Sequence, residues 1–282
     1  YDGEQSHCNG RAVCPLGEQN ILLDVSMVSG DSGLAITLGI RDTGGEVPAL
    51  DQLGLDAVDL ACVRGVLDQP AGLVLLSGPA RSGCSTTLAS LLAAVPHETR
   101  RSMAFERVTG TPLPSPTRLV LPPEEARRCW SEIVVGQNVD VVALDGVFTG
   151  VDVAGVLASD ASGRLLLATT DWSDSFALID FLSSRPGGAQ ILAHRLRMVV
   201  QQRMARFEPA ADTANSAVAR TRPVFEVLVV NDALRDALHA GIPVAQLRAL
   251  ATAGGHRHLG EQLHALVAAG HLSASEAARI LS

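Results

Sequence analysis

The sequence predicts an α/β protein, a mostly parallel sheet with helices on its faces, preceded by a smaller N-terminal unit. Three observations predict it. GLVLLSG at 72–78 is a short continuous apolar run, the pattern of a strand covered on both faces, and it passes through a glycine-rich turn into the helical pattern STTLASLLAA. VDVVALDG at 139–146 and RLLLATT at 164–170 repeat that strand pattern, each beside a helical stretch, as a sheet with helical crossovers requires. The 282 residues are 47% hydrophobic and 18% charged, enough to build a sizeable core and to exclude wholesale disorder. With 3% aromatics, that core must be made of Leu, Val and Ala.

The elements follow in order. In ILLDVSMV (21–28), Ile21, Leu23, Val25 and Met27 alternate with mixed positions; in LAITLGIR (34–41), Leu34, Ile36, Leu38 and Ile40 do the same. SGDSG lies between them, so the pair predicts a β-hairpin with one buried face. RDTGGEVPALDQLGL is rich in Gly and Pro and predicts a boundary, giving an N-terminal unit over 1–47 and a main domain over 48–282. A helix is expected over 56–68 and a late strand over PVFEVLVV, 223–230. The small, polar, unpatterned stretch 208–222 predicts a mobile loop. From 231 to 282 the chain is expected to be helical. Leu259, Leu263 and Leu266 share a face there, and Ser273 and Glu276 have capping-box spacing.

Charge and cysteine usage narrow the function classes. The formal net charge of -8 argues against broad electrostatic binding to nucleic acid. All 22 basic residues are Arg, so no lysine of this chain can reach a phosphate. The five cysteines, Cys8, Cys14, Cys62, Cys84 and Cys129, form no CxxC pair and signal neither a zinc ribbon nor a disulfide framework. Reduced cytosolic thiols are the plain reading; a metal group of His7, Cys8 and Cys14 is the alternative. No apolar run approaches the roughly 20 residues of a membrane helix, so no membrane insertion is expected. The chain starts at YDGEQSHCNG without a signal pattern or an initiator Met, as expected of a fragment or a processed chain.

GPARSGCSTT at 78–87 carries the chemistry. Gly78, Gly83 and Ser85 match G-x-x-x-x-G-K-[ST] with Cys84 in the lysine position. Glycines let backbone N–H groups curl around phosphate oxygens, and the following helix points its positive end at the anion. Gly78, Ser82, Gly83, Cys84, Ser85 and Thr86 are therefore the expected nucleotide-binding residues, with Ser85 placed to ligand Mg²⁺. The missing lysine ordinarily offsets charge between the β- and γ-phosphates. Losing an electrostatic donor of this kind costs about 2.7–4 kcal/mol. An ordinary strand-to-helix turn is the bland alternative. Asp145 ends an apolar strand, either as a second Mg²⁺ contact through water or as a strand-end cap.

Several blocks now fall in order. LDQLGL (50–55), GLVLLSGPARSGCSTTLASLLA, DVVALDGVFTGVDVAGVLASDASGRLLLATTDW, VVQQRMAR and RPVFEVLVVNDALRDAL together resemble the type II secretion and type IV pilus assembly/retraction ATPases, from about residue 10 to the C-terminus. The resemblance implies a RecA-like P-loop motor domain preceded by part of a PAS-like α+β domain. It implies ATP and Mg²⁺ as ligands, held weakly here. It also implies a homo- or hetero-oligomeric ring, a hexamer, with related ATPases, and an inner-membrane platform protein as a further partner. Localisation would be cytoplasmic, peripheral at the inner membrane.

Departures from the family pattern are as informative as the matches. Gly146 stands where the family's catalytic glutamate belongs. Arg164 and Asp171 stand at the two histidines of its histidine box. Asp24 and Gly39 take the places of N-terminal arginines, with Arg41 close by. The four-cysteine zinc loop would fall at 208–222, which has no cysteine, so no zinc is predicted. Glu106 falls on the acidic residue of the family's IEDP box, or is a solvated loop acid; with Asp145 it is the remaining catalytic candidate.

His256 and His258 have metal-ligand spacing but no evident third ligand. Arg195, Arg197, Arg203 and Arg206 resemble a basic stripe, and Trp130 and Trp172 are expected to pack. The sequence as a whole predicts a catalytically degenerate homologue, a pseudo-ATPase acting as scaffold or regulatory subunit of a secretion or pilus system. The alternatives are a nucleotide-binding sensor and a slow but genuine ATPase.

Overall fold

The computed structural model describes residues 7–16, 19–30, 33–42, 47–106, 114–115, 117–120, 132–146, 163–208 and 220–281. Two sheets organise them. The first is antiparallel, in the order β1 (His7–Leu16), β2 (Gln19–Gly30) and β3 (Gly33–Asp42). The expected hairpin is β2–β3, closed where Gly30 faces Gly33, and Gly33 takes a positive φ of 116°. Its buried face needs correction. Met27, Val25 and Leu23 pair with Ile36, Leu38 and Ile40, so one face is apolar, yet Ile36 and Leu38 are 55% exposed and Ile40 73%. The alternation set the strands; no described residue covers them. β1 is a strand that periodicity did not signal.

The second sheet has the order β10-β9-β4-β8-β7-β5-β6. Its strands are β4 (Gly72–Ser77), β5 (Ser102–Glu106), β6 (Thr117–Val120), β7 (Val141–Asp145), β8 (Leu165–Thr170), β9 (Leu196–Phe207) and β10 (Arg220–Val229). All neighbours run parallel except β9 and β10. The strands expected at 72–78, 139–146 and 164–170 are β4, β7 and β8. β9 was missed, because Gln201, Gln202 and its arginines break an otherwise apolar run. The loop expected over 208–222 is corrected at its end, since 220–222 are strand paired with 205–207; residues 209–219 lie outside those described.

Side chains of β4 alternate between two cores. Leu73 and Leu75 pack with α3 (Ser175–Ser183), α4 (Gly188–Arg195), α5 (Asp232–His239) and α6 (Val244–Ala253). Val74 and Leu76 pack with α1 (Ala57–Leu67) and α2 (Cys84–Ala93). Helices thus cover both faces, as the apolar strand runs require. A third cluster joins Ala205 of β9 and Val224 of β10 to α7 (Leu259–Ala268) and α8 (Ala274–Leu281), with Leu259, Leu263 and Leu266 on one face as expected. Only half of the capping box forms. Ser273 accepts from the Glu276 N–H, but the Glu276 carboxylate accepts from the Arg206 N–H and the Arg279 guanidinium. Among the described residues, no helix is long and apolar enough to cross a membrane.

Candidate nucleotide site

The site begins where β4 ends. Ser77, fully buried, donates its hydroxyl to the Trp172 carbonyl at 2.7 Å, and the Gly78 N–H donates to the Thr170 carbonyl at 3.2 Å. The chain then turns, with the Ser82 N–H donating to the Pro79 carbonyl, and enters α2 through Gly83, whose φ is 88°. Glycine is required at both ends of this turn. A Cβ on Gly78 would lie 2.5 Å from the Gln202 carbonyl, and one on Gly83 would lie 2.6 Å from the Gln202 amide nitrogen. Arg81, in the turn, has a φ of 67° and is exposed. The first-turn amides of α2, from Cys84, Ser85 and Thr86, have no partner within their own helix and carry its positive end.

Gln202 of β9 holds this loop from behind. Its Nε2 donates to the Ser82 carbonyl at 2.8 Å, and its Oε1 accepts from Thr87 Oγ1 at 2.7 Å. Its neighbour Gln201 points to the other face. There it accepts from the Ser175 N–H and hydroxyl and donates to the Ser173 carbonyl. Sequence reasoning missed both glutamines. Their signal was a polar pair inside the apolar run VVQQRMAR.

An acidic strand end faces the loop. Asp145 is 3% exposed and its Oδ1 accepts from Ser85 Oγ at 2.9 Å and Thr169 Oγ1 at 3.1 Å. The Gly146 N–H donates to Thr169 Oγ1 at 2.7 Å. The contact between Ser85 and Asp145 puts two oxygen donors together at the mouth of the amide cradle, which suits a hard cation such as Mg²⁺. Glu106 ends β5 in register with Asp145 of β7, so the backbone brings the two acidic positions to one edge of the sheet.

Cys84 turns away from that mouth. It is buried in the core formed with α1, its Sγ lies 3.2 Å from Ser82 Oγ, and burial pushes its thiol up to about 11, with the Asp145 charge adding to the effect. The group in the lysine position is therefore neutral and directed inward. Arg203 lies close enough to pull the thiol the other way, but its guanidinium donates to the Ser173 and Gln202 carbonyls.

The four departures from the family pattern do not share one place. Cys84 and Gly146 border the loop, and exposed Asp171 directly follows Thr170, which binds Gly78. Arg164 instead precedes β8 at its far end, about 20 Å away at strand rise, where its Nε donates to the Val139 carbonyl at 2.8 Å. Cys8 and Cys14 are likewise about 20 Å apart along β1 and do not form one metal group. The arginine stripe also dissolves. Arg195 belongs to α4, and Arg197 and Arg203 have the opposite parity on β9 to Arg206. Trp172 packs on Phe181 at 4.8 Å between ring centroids; Cys129 and Trp130 lie outside the described residues.

A mostly parallel sheet with an inner strand that runs through a glycine loop into a helix, and an aspartate two strands away on the loop serine, defines the RecA-like class of P-loop folds. Comparison with known proteins narrows this further. No family model matches the chain. It is 24% identical over 295 residues to the type II secretion system protein HxcR of Pseudomonas aeruginosa, covering 96% of this chain and 62% of that protein. It is 25% identical over 265 residues to type II secretion system protein E of Klebsiella pneumoniae, covering 83% of this chain and 53% of that protein. The chain thus spans roughly half to three-fifths of these relatives' length. In fold it is similar to the Legionella pneumophila ATPase DotB, with a TM-score of 0.73 at 15% identity over 98% of this chain and 77% of that one. The ADP-bound pilus retraction motor PilT follows, with a TM-score of 0.72 at 17% identity over 98% and 78%. The resemblance to the type II secretion and type IV pilus ATPases is borne out in both sequence and fold.

Proposed function

We propose that this chain is a catalytically degenerate relative of the secretion and pilus motors, serving as a scaffold or regulatory subunit in a ring with related ATPases. The observation that carries the reading is Cys84, a neutral, inward-facing thiol where phosphoryl transfer needs a cation. Gly146 removes, at the same edge, the carboxylate that would ready the attacking water. The residual cradle of amides supports at most weak binding of ATP with Mg²⁺. A cytoplasmic place, at the inner membrane through a platform protein, accords with the type II secretion relatives.

A second reading, a nucleotide sensor that binds without turnover, is favoured by the Ser85–Asp145 contact. Binding and hydrolysis measured on one preparation, with light scattering for assembly, separate the readings. The scaffold role expects no phosphate release above a Ser85→Ala control and no calorimetric signal at millimolar MgATP. Binding without release selects the sensor. Steady release above the control overturns both.

A further inference from the structure

We propose that Glu226, His256 and His258 form a binding site for a divalent metal ion of the zinc class, away from the nucleotide loop. Their ligand atoms all lie within 4.8 Å of one another, and Glu226 is the third ligand that the sequence did not reveal. Glu226 sits on β10, whereas the histidines lie in the connection between α6 and α7. Glu226 is 5% exposed.

The hydrogen bonds around the cluster show which atom each residue has left to offer. Thr252 Oγ1 lies 2.9 Å from the Arg248 carbonyl and 2.8 Å from His258 Nε2; giving its single proton to the carbonyl, which can only accept, leaves it an acceptor toward the imidazole. In that arrangement His258 carries its proton on Nε2 and presents Nδ1 as a bare lone pair. That Nδ1 is buried and has no hydrogen-bond partner among the described residues. His256 Nδ1 lies 3.3 Å from the Val227 carbonyl, to which it donates, leaving Nε2 directed at Glu226 Oε1, 3.2 Å away. Glu226 Oε2 accepts from the Leu259 N–H at 2.7 Å, leaving Oε1 toward the histidines.

Each prospective ligand atom is thus oriented by an outer partner on its other side, the arrangement that accompanies metal-bound imidazole and carboxylate. A proton on His256 would satisfy the Glu226 contact alone and leave His258 Nδ1 orphaned; a cation answers all three atoms. Two imidazoles and one carboxylate suit zinc at about 2.0–2.2 Å per bond, with water in the fourth position. Closing the cluster onto an ion needs movements of about 1 Å. The ion would staple the sheet edge to the connection that leads into α7 and α8.

The test uses the whole chain, stripped with chelator and titrated with zinc by calorimetry, alongside thermal melting. The expected result is one zinc per chain and a raised melting temperature. His258→Leu should weaken the affinity about 100-fold, and Thr252→Val, which leaves all three ligands in place, about 10-fold. His264→Leu, an exposed histidine on α7, should change nothing. Cobalt in place of zinc should show visible bands without a thiolate charge-transfer band. No binding at micromolar zinc, a thiolate band, or affinity undiminished in His258→Leu overturns the site. Should His258→Leu fail to fold, Thr252→Val decides: unchanged affinity overturns the proposal.

Discussion

Cys84 decides the chemistry at the scale of single residues, because burial fixes both its charge state and its direction. A thiol held near 11 stays protonated at neutral pH and is a poor nucleophile. In the native protein at pH 8, Cys84 should resist alkylation while exposed Cys14 reacts; mass spectrometry of the labelled peptides checks this. Cys84→Lys, whose four-carbon stem is long enough to carry an ammonium out of the core to the loop, should tighten MgATP binding at least about tenfold, worth about 1.4 kcal/mol, as read by calorimetry. Without Gly146→Glu, hydrolysis should still be absent. Gln202 matters as much for geometry. Gln202→Leu strips partners from the Ser82 carbonyl and the Thr87 hydroxyl, two hydrogen bonds that hold the loop. It should cost about 2 kcal/mol in chemical denaturation and abolish any nucleotide signal.

Among the elements, the C-terminal helices depend on carboxylates that no apolar periodicity signals. Glu276, in the first turn of α8, ties that helix to β9 through the Arg206 N–H. The Arg279 guanidinium, foremost, pulls its carboxyl down from 4.5 to about 2. A depressed folded-state value means that the contribution is complete above about pH 4.5 and is lost as pH falls toward 2. Glu276→Gln should therefore lower stability at neutral pH and flatten its fall between about pH 4.5 and 2; denaturant midpoints across that range read it. The sequence signalled the Ser273 half of this cap. The other half depended on Arg206 arriving from β9, 70 residues away in the chain.

For the whole molecule, the contrast between the two sheets matters most. The seven-stranded sheet is covered on both faces, and Leu75→Ala in its centre should cost about 2–5 kcal/mol. The apolar face of β2–β3 is open, so Ile40→Thr should change stability by less than about 0.5 kcal/mol. A loss comparable to that of Leu75→Ala would mean that this face is covered in solution. Denaturant unfolding of both variants under one buffer makes the comparison.

The continuous apolar runs of β4, β7 and β8 were legible by themselves, because a strand buried on both faces needs no partner to declare its pattern. The glycine loop was legible too, since its spacing is local: Gly83 enters α2 at a positive φ, and a Cβ on Gly78 would meet Ser82 of the same turn. Tertiary structure alone decided the rest. Strand length and direction put Arg164 at the far end of β8 from the loop, although only the six residues of that strand separate it from Asp171 in the chain. Glu226 comes to His256 and His258 only because β10 lies beneath the α6–α7 connection. Gln202 becomes the loop's clamp only because β9 pairs beside β4. Periodicity reports a residue's environment along one element; which distant residues supply that environment is fixed by the packing of elements against each other.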